Sequence, residues 1–134
     1  LNVRIGFMEG GVSWLQTCLE RFDRGWKTHI QYDPRKEYIQ LNQGETVSAY
    51  IRRHIEAGRI FVGCEGTEKA LHHLIEAVGN KPFMFSSDFP HEVNNDYCKH
   101  EIEEIAENKH LTDEDKHAVL HANAERFYGL KSLE

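Results

Sequence analysis

Three short apolar runs, each ending in a single carboxylate, set the pattern of this chain. Val3-Arg4-Ile5-Gly6-Phe7-Met8 runs into Glu9, Ile60-Phe61-Val62-Gly63-Cys64 into Glu65, and Pro82-Phe83-Met84-Phe85-Ser86-Ser87 into Asp88. Nearly continuous apolar runs separated by helical stretches are what a parallel sheet covered on both faces requires. The pattern therefore predicts buried strands near Val3–Met8, Ile60–Cys64 and Phe83–Ser86, parallel and adjacent in chain order, in an α/β fold. In such sheets the chemistry lies at the carboxyl ends of the strands, so Glu9, Glu65 and Asp88 are predicted to converge on one face.

Between these runs the apolar spacing changes to three and four residues. Trp14, Leu15, Cys18, Leu19 and Phe22 form one stripe after Gly10-Gly11, which predicts a helix lying on the sheet. After Glu65-Gly66, Thr67 reads as an N-cap with Glu68 in the first turn; Ala70, Leu71, Leu74, Ile75 and Val78 form the stripe and Gly79 the stop. A polar helix is predicted over Lys99 to Lys109, with Ile102, Ile105 and Ala106 on one side. Thr112 caps a last helix that places Val119, Ala122, Asn123 and Phe127 inward and stops at Gly129. From Gly25 to Asn42 the pattern is irregular: Tyr32-Asp33-Pro34-Arg35 reads as a turn, and Glu37 to Leu41 as extended or helical. This segment is expected to be an excursion on the functional side, followed by a short helix from Thr46 to Ile55.

Composition narrows the classes of function. The chain has 134 residues, enough for one domain with a sizeable core, and 40% of them are hydrophobic. A net charge of −6 without any Lys/Arg cluster argues against a nucleic-acid partner, because phosphate binding needs clustered cations. Three cysteines without a C-x-x-C pair argue against a disulfide framework, so a cytoplasmic location is expected. No apolar stretch reaches the roughly 20 residues that span a bilayer, and no membrane association is expected.

Several segments together resemble a known family. Met8-Glu9-Gly10-Gly11-Val12-Ser13-Trp14 with Leu19-Glu20-Arg21-Phe22-Asp23, then Phe85-Ser86-Ser87-Asp88-Phe89-Pro90-His91, and then Leu120-His121-Ala122-Asn123-Ala124-Glu125-Arg126-Phe127-Tyr128-Gly129-Leu130 are similar to the last third of amidohydrolase-2 proteins. These are metal-dependent hydrolases and decarboxylases similar to aminocarboxymuconate semialdehyde decarboxylase. The resemblance implies that the chain is the C-terminal portion, about three strand-helix units, of a (β/α)8 TIM barrel whose upstream half lies outside it. It also implies a divalent metal, Zn2+ by preference, with its histidine ligands upstream. Asp88 matches the position of the aspartate that binds the metal or takes a proton from its water, and a carboxylate suits both roles. Glu9 stands where the decarboxylase branch often carries a histidine, which leaves hydrolysis and decarboxylation both open.

The remaining candidates have structural alternatives. Glu65 is a substrate contact or a helix-dipole partner, Glu9 is equally a substrate contact or a turn residue, and His91 lies at the rim beside the substrate or packs locally. His117 and His121, at i and i+4, lack the glutamate of H-E-x-x-H and are expected on a solvated face. Asn123 and Arg126 are expected to fasten the last helix under the sheet. Gly10-Gly11 is a weak phosphate-cradle signal. The leading expectation is an enzyme acting on a small organic acid, amide or lactone. The alternative is a non-catalytic fragment or partner-binding module. Three parallel strands leave an open edge, so self-association or pairing with the upstream half of the barrel is expected.

Overall fold

The computed structural model describes residues 3–29, 37 and 39–130. They form a mixed α/β unit around a three-stranded sheet. Strand β1 (Ile5–Phe7) is followed by α1 (Ser13–His29) and α2 (Val47–Glu56), β2 (Ile60–Cys64) by α3 (Leu71–Val78), and β3 (Phe83–Phe85) by α4 (Asn95–Ala106). The chain closes with a helical run made of α5 (Asp113–His117), a π turn (Ala118–Ala122) and α6 (Asn123–Tyr128). The sheet order is β1-β2-β3 and both pairings are parallel, with Gly6 opposite Phe61 and Gly63 opposite Met84. The predicted strand order and direction hold.

The alternation of side chains divides the sheet into two working faces. Val62, Cys64 and Phe83 face the main core, a buried cluster with Val12 and Leu15 from the start of α1, Ile55, Leu71 and Leu74, and Ile105. On the opposite face Phe61 meets Phe127 edge to face at 5.2 Å. That face depends on glycine: a β-carbon on Gly6 would stand 3.1 Å from the Phe127 ring, and one on Gly63 2.9 Å from Met8 Cε. Ring and thioether fill the space the two glycines leave.

Four expectations need correction. β1 is not buried: Ile5 is 51% exposed and Phe7 44%, because it is the edge strand and Trp14, 5.0 Å from the Phe7 ring, and Phe127, over Gly6, cover only part of it. Thr67 does not cap α3, which starts only at Leu71 with Ala70 before it and no side-chain cap; the Glu65–Ala70 stretch is a pair of turns instead. α4 buries Ile105 as expected, but with Glu101 beside it in place of the other two: Ile102 is 42% exposed and Ala106 is exposed too. Finally, α1 runs through Gly25 to His29, so the irregular segment starts later than its sequence suggests. The Tyr32–Arg35 turn and Tyr38 lie outside the described residues; Glu37 and Ile39 to Leu41 are neither helix nor strand.

Caps and stops follow the sequence elsewhere. Thr46 accepts the Ala49 amide at 3.1 Å, and Asp23 reaches from α1 to accept both the amide and the hydroxyl of Ser48, tying α1 to the start of α2. Thr112 and Asp115 form a capping box at α5. Gly79 ends α3 at φ 80° and Gly129 ends α6 at φ 68°, conformations that glycine adopts without a Cβ penalty. His117 and His121 are exposed as expected, and Cys18, Cys64 and Cys98 are free thiols. Among the described residues, no helix is long and apolar enough to cross a membrane.

Candidate functional site

The carboxyl ends of the three strands bring together the three acids that the sequence singles out. Glu9, Glu65 and Asp88 line one half-open cleft, with Gly11, Glu68 and Ser86 between them and Gly63 and Cys64 at its floor. Its interior room is about 20 Å³, enough for a water molecule. A small organic acid needs walls beyond these residues.

Backbone strain marks two of the acids. Glu9 has φ 60° and Asp88 φ 56°, the left-handed region that costs a side-chain-bearing residue roughly 1–2 kcal/mol. Each is the residue at which its chain turns away from a strand end, so the turn fixes where the carboxylate stands. Such strain persists where the surroundings over-determine it, and it concentrates at functional sites. Asp88 has a direct partner in His91, whose Nδ1 lies 3.1 Å from Asp88 Oδ1, while the His91 amide donates to the Asp88 carbonyl at 3.0 Å. His91 thus belongs to the Asp88 turn, outside the cleft lining, with its side chain 70% exposed.

Glu68 is the residue of this cleft that sequence reasoning missed. Its Oε1 accepts the Glu65 amide at 2.9 Å and its Oε2 accepts the Val12 amide at 2.7 Å. One carboxylate therefore holds the turn after β2 and the turn after β1 in fixed relation, and charge-assisted bonds of this kind are the stronger ones. Glu65 is not the amide-binding carboxylate of its turn, and the Val12 amide, where a phosphate cradle at Gly10-Gly11 would draw its first donor, is already bound by Glu68. The signal lies in the three-residue separation of Glu65 and Glu68, the spacing at which a glutamate reaches back to an amide in a capping box. Cys64 beneath is inert: burial foremost, with the Glu68 and Glu65 charges adding to it, pushes its thiol far above the ordinary range.

The amino end of the sheet carries the other half of the resemblance. Asn123, 2% exposed, donates to the carbonyls of Asn80 at 2.8 Å and Phe83 at 2.6 Å. Arg126 donates to Asn123 Oδ1 at 3.0 Å and to the Lys81 carbonyl, with its guanidinium over the Phe61 ring. Both fasten α6 beneath β3, as their sequence context predicts.

Across residues 2–130 the chain matches the amidohydrolase family model. The chain belongs to the amidohydrolase family. No curated protein matches it at a significant level. Family members are in general metal-dependent hydrolases or decarboxylases. Among the described residues, however, no group of three or more His, Cys, Asp or Glu is arranged to hold a metal ion. Zinc takes about four ligands, so Asp88 fits a metal as one donor of a set and not as a centre. What this amidohydrolase chain itself supplies is carboxylate chemistry.

Proposed function

We propose that the chain is the C-terminal part of a single (β/α)8 barrel domain and contributes its last strands to the active site of a hydrolase that acts on a small organic acid, amide or lactone. Convergence of Glu9, Glu65 and Asp88 at the carboxyl ends of three parallel strands, in a chain of the amidohydrolase family, supports this most directly. Active sites of such barrels lie at that end. The exposed apolar edge of β1, with Val3, Ile5, Phe7 and Met8, is where the remaining strands would dock.

In this reading Asp88 is the general base for the attacking water and one ligand of a divalent metal, Zn2+ by preference, whose other ligands come from outside this chain. Its rigid left-handed turn and the His91 contact hold the carboxylate in place. Glu9 and Glu65 flank it as hydrogen-bond acceptors for substrate hydroxyl, amino or amide groups. A decarboxylase of the same family is the second reading; Glu9, standing where that branch often carries a histidine, weighs against it. The test is Asp88→Asn in the full-length enzyme, assayed on a panel of small amides, lactones and carboxylic acids together with metal content. Turnover is expected to fall roughly 10²-fold or more, as loss of a general base does, and Glu65→Gln to cost less. Unchanged turnover and metal content in Asp88→Asn would remove Asp88 from the site.

A further inference from the structure

Glu101 on α4 is a charged residue in a place that ordinarily excludes one. It is fully shielded from solvent, and among the described residues neither oxygen of its carboxyl completes a hydrogen bond. The main chain around it is equally tight. A β-carbon on Gly66 would lie 2.0 Å from the Glu101 carbonyl oxygen, so glycine at 66 is what lets α4 close on the turn after β2. That turn carries Glu65 and Glu68, the first in the cleft and the second holding it together.

An ionised carboxylate without partners in a dry site costs several kcal/mol, and such a group neutralises instead. Glu65 and Glu68 on the turn add repulsion, whereas the Gly66 amide, leaning toward the carboxyl, and His100 on the same helix oppose it. Cys64, below the turn, is neutral and adds no charge to this group.

We propose that Glu101 is a positioning residue that keeps its proton at neutral pH, so that α4 stays closed on the Glu65–Gly66 turn and the acids of the cleft keep their places. The consequence for the cleft rests on the active-site reading above, whereas the protonation of Glu101 stands independently of it. Burial is the main cause that raises its pKa from the ordinary 4.5, and Glu65 adds to it. A group raised in the folded state contributes fully below its unfolded pKa, and that contribution is lost as pH climbs through the folded value.

Infrared titration of the chain tests this without any assay of turnover. A carboxylic-acid C=O band persisting at about pH 7, where exposed carboxyls are ionised, and absent from Glu101→Gln, is expected. The melting point of Glu101→Gln relative to the wild type should start near zero difference at about pH 4 and rise by a few degrees toward pH 8. Amides of Val12 and Glu65, both held by Glu68, report the positioning. Their protection from hydrogen exchange should decline in the wild type as the acid band disappears and stay constant in Glu101→Gln. Should Glu101→Gln fail to fold, the wild-type titration still decides: loss of every acid band by about pH 5.5 overturns the proposal. A melting-point difference independent of pH, or amide protection indifferent to the acid band, overturns it equally.

Discussion

At the amino end of the sheet, Asn123 and Arg126 are directed at main-chain carbonyls of the Asn80–Phe83 turn. At the carboxyl end, Glu9, Glu65 and Asp88 stand around an open cleft on turns that include two left-handed non-glycine residues. At the amino end these side chains bind their own backbone; at the carboxyl end Glu68 does so too, but Glu9, Glu65 and Asp88 line the open cleft. On the proposed reading, the first end stabilises the fold and the second is the one that reacts. Strain and exposed carboxylates at the strand tips lower stability, and they are offset by hydrogen bonds and aromatic packing at the opposite end.

The largest effect on stability is expected from Asn123→Ala. It strands the buried Phe83 carbonyl and leaves the Asn80 carbonyl with the Phe83 amide at 3.3 Å, and loss of two hydrogen bonds with one unsatisfied acceptor left behind should cost roughly 3 kcal/mol. Denaturant titration reads this directly, and a loss below about 1 kcal/mol would break the contrast between the two ends. Glu9→Gly should move the other way. Glycine relieves the left-handed strain at φ 60°, so the chain should gain up to about 1 kcal/mol while the full-length enzyme loses turnover. A destabilised Glu9→Gly chain would show that the side chain there is structural.

The smallest effect concerns a region belonging to neither end. The hydrogen bond from the Ser48 hydroxyl, foremost, lowers the Asp23 pKa below its ordinary 3.8. A depressed carboxylate contributes stability above its unfolded pKa and loses it as pH falls through the folded value. Asp23→Ala should therefore cost about 1 kcal/mol at neutral pH, the usual worth of a capping contact. The cost should vanish in acid below the ordinary value. Melting curves at neutral and acid pH check it, and a pH-independent cost would assign the loss to packing alone.

Much of this architecture is legible in the sequence. Run-then-acid repeats carry the parallel order of the strands and the meeting of Glu9, Glu65 and Asp88, because an apolar run and a terminal carboxylate are both local signals. Thr112, Gly79 and Gly129 are legible for the same reason. What escaped depends on distant partners. Glu68 looks like a first-turn residue until the Val12 amide, 56 positions away, is seen against it. Glu101 sits in a polar stretch whose spacing favours Ile102, Ile105 and Ala106 as the inward side; Ile105 is buried, but Gly66, with no side chain, admits Glu101 beside it in place of the other two. The exposure of β1 is invisible to pattern, since an edge strand and a central strand share the same apolar run.

One paired measurement tests the division of labour most directly: melting point and turnover in the full-length enzyme for Asp88→Asn and Asn123→Ala side by side. The account predicts that Asp88→Asn keeps the melting point within a degree or two while turnover falls roughly 10²-fold or more, and that Asn123→Ala melts several degrees lower with turnover per folded molecule unchanged. A turnover loss in Asn123→Ala matching that of Asp88→Asn, or an Asp88→Asn enzyme that unfolds early and turns over normally, would contradict it.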